Sequence, residues 1–386
     1  MRVFVGKRQA TVSTSDLSSG MLDELASRAV AMARAVPEDP FCGLAEPELL
    51  AHDWPQLESV DPAEPSEAEL AEKVRLAEEA ARGVAGVTNS EGAEAGWSRV
   101  DMGLIGSNGF HGSFSGSRFG LSVSVIAGEG TLMERDYDFS STVFGADLGD
   151  PAKLGKAAGE RAVRRLNPRK VPTAKLPLIF DPRISNGLVG HFAGAINGAS
   201  IARGTSFLKD QMGKQIFASG ITIVDDPHRP RGLRSRPFDG EGVANRRREL
   251  ISKGVLQTWI LGCRSARQLK LVTTGHGSRG DTPSTTNLYM EAGKVSPKEL
   301  IGGIDRGLYV TELIGHGVNG VTGDYSRGAA GFWIEKGELA YPVSEVTIAG
   351  NLKDMFLNLT PANDLVFRYG TDAPTLRIDG MTIAGA

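Results

Sequence analysis

Hydrophobic and polar positions divide the chain into an early part with helices and a later part with short strands. Val3–Ser13 alternates on either side of a Gly-Lys pair, which predicts two strands joined by a turn. Apolar residues at helical spacing predict a helix over Ser19–Val36, with an inward face formed by Leu22, Leu25, Ala29, Met32 and Val36. A capping box begins at Ser66 and predicts a second helix to Arg82.

The rest of the early part is predicted to contain a connection, a meander and a third helix. Pro37–Pro65 is rich in proline and acidic residues, which predicts a long exposed connection. Trp97–Asp138 alternates between apolar and polar residues and contains many glycines, so an antiparallel meander is expected there. Asp150-Pro151 begins a third helix that extends to about Leu166, since proline is favoured at the first helical position.

The stretch NPRKVPTAK, which starts at Asn167, is the predicted boundary between residues 1–172 and residues 173–386. Beyond it, the segment LPLIF (Leu176–Phe180) and later short runs predict strands and hairpins, most clearly at the Glu335–Glu338 tip. Helices and antiparallel strands are segregated, which indicates an α+β fold. We expect an N-terminal mixed α/β domain with the meander and a C-terminal β-rich domain.

Composition excludes several classes of protein. The chain has 386 residues and a formal net charge of −3, so it has no general attraction for nucleic acid or anionic membranes. Cys42 and Cys263 lie far apart, and neither a disulfide framework nor a thiolate zinc cluster is expected. No apolar run approaches the roughly 20 residues that span a bilayer, and the N-terminus lacks the apolar core of a signal peptide. We expect a cytoplasmic protein.

Two glycine motifs raise the question of a dinucleotide site. Gly-x-Gly-x-x-Gly occurs at Gly275–Gly280 and at Gly315–Gly320. Such a site needs a strand before the motif and a helix after it. The first copy runs into Asp281-Thr282-Pro283 and the second into VTGDYSRGAAGF, and neither continuation begins a long helix. Both motifs are therefore predicted to be turns.

A candidate for nucleic-acid binding is the arginine-rich stretch His228–Pro237, together with Arg246–Arg248. Clustered arginines could contact nucleic acid, but the acidic overall balance favours a solvated loop whose arginines pair with nearby acids.

His191 lies in the small-residue run GLVGHFAGAINGASIARGTSFL, which predicts a helix. A helical zinc site places two histidines one turn apart, whereas the residues one turn after His191 are Gly194 and Ala195. A site built from His191, His276 and His316 would need the fold to bring three separate segments together. The small residues would let the helix approach another backbone or a threading peptide, or would permit close packing in the core; both alternatives stay open.

This run, together with VTTGHGSRGDTPSTTNLYMEAGKVSPKELI and GLYVTELIGHGVNGVTGDYSRGAAGFWIEKGELAYPVSEVTIAGNLKDM, resembles the TldD/PmbA family and specifically its PmbA (TldE) branch. The resemblance covers nearly the whole chain. Family chains usually have a further segment before RVFVGKRQATVSTSDL, so the first domain is expected to be shortened at its start. The resemblance implies a cytosolic metalloprotease of two different subunits that cuts peptides or unfolded proteins.

The resemblance also implies where a metal would lie. The TldD-like subunit carries a His-Glu-x-x-x-His helix and a distant cysteine ligand. Aligned by the shared Gly-Thr-Ser tripeptide, that helix falls on the His191 segment, where the matching positions are apolar or glycine, and VFRYGTDAPTLRID has no cysteine. We therefore expect no catalytic residue, metal or other cofactor in this chain. Residues expected to face substrate or partner are His191, Arg203, Gly204, Thr205, Ser206, His276 and His316.

The expected partners follow from the same resemblance. They are a zinc-bearing TldD-like subunit in a heterodimer, an extended peptide or unfolded protein held by strand addition at a sheet edge, and a second copy of this chain when it is isolated. Direct binding to nucleic acid or a membrane is not expected. Two alternatives stay open: a metallopeptidase in its own right with an atypical site from the three histidines, and a binding protein that modulates DNA gyrase.

Overall fold

The chain begins with the hairpin and helix that its pattern predicts. The structure, a computed structural model, describes residues 1–280 and 282–385. Strand β1 (Arg2–Val5) pairs antiparallel with β2 (Arg8–Thr11), and helix α1 covers Ser19–Ala35. The buried positions of α1 are Leu25, Ala29 and Ala33, whereas Leu22 and Met32 are 37% and 45% exposed. The predicted inward face was too wide, because a two-stranded hairpin offers α1 little apolar surface to cover.

The connection Pro37–Pro65 is not the exposed loop that its composition predicts. Its buried residues are Cys42, Ala45, Leu50, Ala51, Leu57 and Asp61. Leu50 forms a β-bridge with Val243, and the connection shares an apolar cluster with Phe110 and Phe238. The prediction was wrong because isolated apolar residues between prolines pack against distant parts of the chain, which a local pattern cannot show.

Two helices cover one face of the predicted meander. Helices α2 (Glu67–Arg82) and α3 (Pro151–Arg164) begin at the predicted caps, Ser66 and Asp150. They pack on an antiparallel sheet of three strands, β3 (Val87–Ile105), β4 (His111–Ala127) and β5 (Glu134–Thr142).

The two helices approach each other very closely. A Cβ atom added to Gly155 of α3 would lie 1.9 Å from the carbonyl oxygen of Ala77 in α2. Glycine is therefore required at this crossing, and the layer beneath it is filled mainly by alanines of the helices and valines of β4.

The later part of the chain contains two larger sheets. Their strands are β6 (Ala174–Phe180), β7 (Ile223–Asp226), β8 (Arg248–Ser252), β9 (Val255–Leu256), β10 (Asn287–Met290), β11 (Arg306–Ile314), β12 (Asp324–Glu335), β13 (Glu338–Asn351), β14 (Leu359–Pro361), β15 (Thr371–Asp372) and β16 (Leu376–Ala384). The orders are β15-β10-β7-β8-β9 and β13-β12-β11-β6-β16-β14. The second sheet closes on itself where Thr347–Ala349 pairs with Thr382–Ala384.

Five short helices complete this part: α4 (Pro182–Ala195), α5 (Gly198–Ala202), α6 (Cys263–Leu269), α7 (Pro297–Gly302) and α8 (Leu352–Leu357). The predicted tip joins β12 to β13 through Lys336 and Gly337, which take φ values of 50° and 80°, as a tight hairpin turn requires. The predicted α+β class, a mixture of helices with largely antiparallel sheets, is confirmed. Across the described ranges, the helices lack the length and apolar character needed to cross a bilayer.

Buried charges join the meander to the later part. The Arg183 guanidinium of α4 donates to Asp136 of β5 at 2.7 Å, and both side chains are less than one-tenth exposed. Arg165, which ends α3, contacts Asp136 at 3.7 Å and donates to Glu312 of β11 at 2.5 Å. These ion pairs fix α4 relative to β5 and α3.

We expect Arg183→Ala to lower the free energy of unfolding by about 3 kcal/mol, because it leaves the buried Asp136 with Arg165, at the longer distance, as its one cationic partner among the described residues. Urea unfolding followed by circular dichroism measures the loss. The matched control is Arg75→Ala, which removes two exposed ion pairs on α2 and should change stability little. Equal losses in the two variants would contradict the role given to the buried pair.

Candidate functional site

Helix α4, which carries His191, is held at both ends. At its start, the Asp181 side chain accepts the backbone N–H of Arg183 at 2.9 Å and the Tyr309 hydroxyl at 2.9 Å. At its end, the Ser206 hydroxyl donates to the carbonyl oxygen of Ala195 at 2.5 Å. The Tyr309 and Ser206 contacts come from other segments, so the tertiary structure determines the position of this helix.

One side of α4 borders a cavity of about 380 Å³. His191 and Thr205 line it, and the loop after β11 brings His316 to the same space. Ser200 and Arg327 of β12 complete its polar lining. The other lining residues are glycine or apolar: Gly190, Gly194, Ala195, Phe207, Val318, Gly320 and Leu352.

The glycines of α4 leave its exposed side bare. A Cβ atom at Gly187, Gly190 or Gly194 would meet no heavy atom within 4 Å. Close core packing, one of the two alternatives for this segment, therefore does not explain these glycines. It does explain Gly198 in α5, where an added Cβ would lie 2.5 Å from the side chain of Leu261.

His191 is half-buried, and its ring meets the Tyr325 ring edge-on with 6.1 Å between centroids. Burial lowers the pKa of His191 below its usual 6.5, and the charge of Arg327 lowers it further. His191 is therefore a neutral imidazole at pH 7. Behind it, burial raises the pKa of Tyr325 to about 12, and the Tyr325 hydroxyl has no hydrogen-bond partner among the described residues.

His276 lies outside this cavity. It is 2% exposed, and its ring nitrogens lie 2.8 Å from the Thr274 hydroxyl and 3.2 Å from a carboxylate oxygen of Asp225. Asp225 also accepts the backbone N–H and the hydroxyl of Thr286. The three-histidine site does not form, because His276 is held in this separate buried network.

The Gly-Thr-Ser tripeptide divides between structural and cavity positions. Thr205 lines the cavity, whereas Gly204 takes a φ of 70° that turns the chain. Ser206 is 3% exposed and bonded to Ala195 and to the N–H of Leu208. Exposed Arg203 is not part of the lining. Of the seven candidates, only His191, Thr205 and His316 meet in one place.

Sequence reasoning missed Ser200 and Arg327. Arg327 comes from DYSRGAAGF, the continuation of the second glycine motif, in which it is the one cationic residue. The available signal was a cationic residue directly before the small-residue run Gly328–Gly331. The pairing of β12 with β11 then places it near the loop that carries His316.

The residues of the cavity do not fit a catalytic zinc ion. In the ranges that the structure describes, no three histidine, cysteine or acidic side chains lie close enough to hold a metal ion. His191 and His316 provide two imidazoles, and no cysteine or carboxylate lines the cavity with them. A catalytic zinc takes three protein ligands and keeps a fourth position open for water.

The other candidate motifs are structural. Each glycine motif precedes a strand, β10 or β12, so neither has the helix that a dinucleotide site needs; Asp281 lies outside the described residues. In the arginine-rich segment, Arg231 pairs with Glu58 and Asp147 as predicted. Arg236 instead turns inward and donates to Ser284 and Thr285, which corrects the prediction of a uniformly solvated loop.

Comparison with known proteins now gives the family. Residues 173–385 match the PmbA/TldA metallopeptidase C-terminal domain, and residues 60–166 match the central domain. Over 386 residues the chain is 41% identical to the metalloprotease PmbA of Escherichia coli O157:H7, an alignment that covers 99% of this chain and 84% of that protein. The chain belongs to the PmbA/TldD metallopeptidase family.

Other proteins are similar to this chain over nearly its full length. The metalloprotease PmbA homolog of Haemophilus influenzae is 38% identical, with 99% of this chain and 84% of that protein covered. A Bacteroides thetaiotaomicron crystal structure, named as a candidate modulator of DNA gyrase, superimposes with a TM-score of 0.92 at 29% identity, covering 100% and 87%. TldE from Thermococcus kodakarensis shares the fold, with a TM-score of 0.86 at 24% identity over 100% and 89%.

The charge of Arg327 acts on His191, and this can be measured. We expect Arg327→Gln to raise the pKa of His191 but to leave it below 6.5, because burial is the larger cause and remains. NMR titration of the ring protons gives the value, with Arg203→Gln as a control that should leave it unchanged. An unchanged value in Arg327→Gln would contradict the interaction.

The lowered pKa of His191 also determines in which direction the stability of the fold changes with pH. Between the folded-state pKa of His191 and 6.5, the unfolded chain binds more protons than the folded chain. This residue therefore makes the fold less stable as the pH falls below 6.5. In His191→Gln, denaturant unfolding should lose that part of the acid sensitivity.

Proposed function

We propose that this chain is the metal-free, PmbA/TldE-like subunit of a cytoplasmic TldD/TldE-type metalloprotease that acts on peptides or unfolded proteins. The observation that carries the proposal is the cavity beside α4, which holds two histidines and no third metal ligand. A zinc peptidase site also needs a group that takes a proton from the metal-bound water, and no carboxylate lines this cavity to do so.

The open cavity supports a role in holding substrate. Its α4 wall is glycine at positions where an added Cβ atom would meet no neighbour within 4 Å, so open space lies directly beside the helix. In the proposed complex the TldD-like partner supplies the zinc and the catalytic groups. This chain supplies an additional surface on which an extended peptide lies.

The outer edge of β3 supports a role in assembly. This strand pairs with β4 on one side and is at the sheet edge on the other, over Val87–Ile105. Val100, Met102 and Ile105 on it are 56%, 50% and 85% exposed. Edge strands with exposed apolar residues are surfaces for pairing with another chain. We assign this edge to the partner subunit in the heterodimer, and to a second copy when the chain is isolated.

The catalytic part of the proposal is tested with the purified chain. We expect no peptide cleavage by the chain alone, substoichiometric zinc by elemental analysis, and a melting temperature that chelator does not change. Adding a TldD-like partner should give activity that chelator abolishes. In that complex His191→Ala should reduce the rate only modestly, through packing or substrate fit. Zinc near one per chain, with chelator-sensitive cleavage by this chain alone that His191→Ala abolishes, would overturn the proposal.

The assembly part is tested by light scattering. We expect a homodimer at micromolar concentration, because twofold contacts between identical surfaces are the commonest oligomeric arrangement. Val100→Lys should shift the mass toward the monomer by placing a charge on the β3 edge. Val321→Lys is the matched control, since Val321 is 57% exposed in the loop between β11 and β12, away from β3, and it should leave the mass unchanged. A wild-type monomer counts against the assignment.

A further inference from the structure

The lining of the cavity beside α4 has an unbalanced charge. Arg327, His191 and His316 line it together with two hydroxyl side chains, Ser200 and Thr205. No aspartate or glutamate is among its lining residues. Every polar side chain of the lining can therefore donate a hydrogen bond, and the one permanent charge is positive.

Arg327 differs from the other arginines near α4. Arg165 and Arg183 are both partly buried and both form ion pairs with carboxylates at 2.7 Å or less. The Arg327 Nε donates to the carbonyl oxygen of Ile314 at 3.2 Å, and in the described part of the chain no carboxylate lies within ion-pair distance of this guanidinium. The two terminal nitrogens of its fork therefore have no acidic partner among the described residues.

A second observation comes from behind His191. Tyr325 is 2% exposed, its ring lies against the His191 ring, and its hydroxyl lacks a partner among the described residues. Buried polar groups are normally satisfied, so this hydroxyl, on a ring packed against that of the cavity residue His191, can still take a partner that the described residues do not supply.

We propose that this cavity binds the carboxylate of a peptide, with the Arg327 guanidinium as the principal contact and the His191, His316 and Thr205 side chains as additional donors. The proposal rests on the proposed function for the choice of a peptide as the carrier of the carboxylate. The glycines of α4 leave room for the peptide main chain, and Phe207, Val318 and Leu352 give the neighbouring side chain an apolar surface.

The net charge of the lining favours a carboxylate over a phosphate. His191 is neutral at pH 7, so Arg327 is the one permanent cation that the lining supplies. A single guanidinium presents a planar fork that matches the two oxygens of a carboxylate. A phosphate dianion would keep an uncompensated charge in the cavity. The carboxylate is either the C-terminal group or an aspartate or glutamate side chain, and the experiment separates these sources.

Three fluorescent peptides of one apolar sequence serve as probes. The first has a free C-terminal carboxylate, the second a C-terminal amide, and the third the amide together with one internal aspartate. Fluorescence anisotropy with the purified full chain measures their affinities. We expect at least one carboxylate-bearing peptide to bind at least about tenfold more tightly than the plain amide. Preference for the first probe assigns the C-terminal group, and preference for the third assigns a side chain.

Arginine variants locate the contact. Arg327→Gln should abolish the difference between acid and amide, and Arg327→Lys should retain only part of it, because lysine keeps the charge but not the fork. Arg203→Gln, a control on an exposed arginine outside the lining, should keep the full difference. Equal affinity for all three peptides, failure of both acids to bind, or equal effects of Arg203→Gln and Arg327→Gln would overturn the proposal.

Acetate binding to the unmodified chain tests the site even if an Arg327 variant does not fold. Titration with acetate should shift the NMR signals of the His191 ring, and titration with acetamide should not; equal shifts would count against the site. The outcome is separable from that of the proposed function. A chain found to bind zinc and cleave alone would defeat the proposed function, whereas a missing acid–amide difference defeats only the carboxylate site.

Discussion

The buried ion pairs around Asp136 are the constraint on which the rest of the structure depends. Asp136 lies on β5 in the early part of the chain, yet it contacts Arg183 at the start of α4 and Arg165 at the end of α3. Such pairs contribute little net stability relative to an apolar packing of the same shape, because both charges lose their hydration. Separating these charges, however, would leave each of them buried without a partner, and the free-energy cost of that is large. The ion pairs therefore permit only one arrangement of the early part of the chain relative to the later part.

This arrangement determines the candidate cavity beside α4. Arg183 is in the first turn of α4, so the ion pairs hold the start of the helix while the Ser206 hydroxyl holds its last carbonyl. The exposed side of α4 can then carry glycines without losing its position. A glycine-rich helix has low intrinsic stability, about 1 kcal/mol less per glycine than with alanine, and contacts made at its ends compensate for this.

Membership of a metallopeptidase family and the chemistry of the cavity suggest different functions. The fold and the family motifs are those of PmbA/TldD proteins, but the cavity beside α4 has the donors of an anion site and not the ligand set of a metal site. A division of labour between two related subunits accommodates both findings. In the proposed complex, one subunit would supply the reactive centre and the other would keep the cavity for binding.

The sequence by itself determined the features that depend on neighbouring residues. The Ser66 and Asp150 caps, the antiparallel meander and the Glu335–Glu338 tip could be predicted, because capping, alternation and turn chemistry act over a few residues. The family could be predicted from the resemblance of its motifs. The presence of a helix of small residues at His191 could also be predicted, although not whether its glycines face open space or the core. Which residues from other segments lie beside that helix could not be predicted.

Only the tertiary structure decided the membership of the site. Arg327 and His316 reach His191 through the pairing of β11 with β12 and the loop between them, while His276 is drawn into a buried network with Asp225. The connection Pro37–Pro65 was mispredicted for the same reason, since Leu50 finds its partner Val243 far along the chain. Hydrophobic periodicity shows which side of an element is buried, but it does not show against what, because contacts between distant segments leave no local pattern.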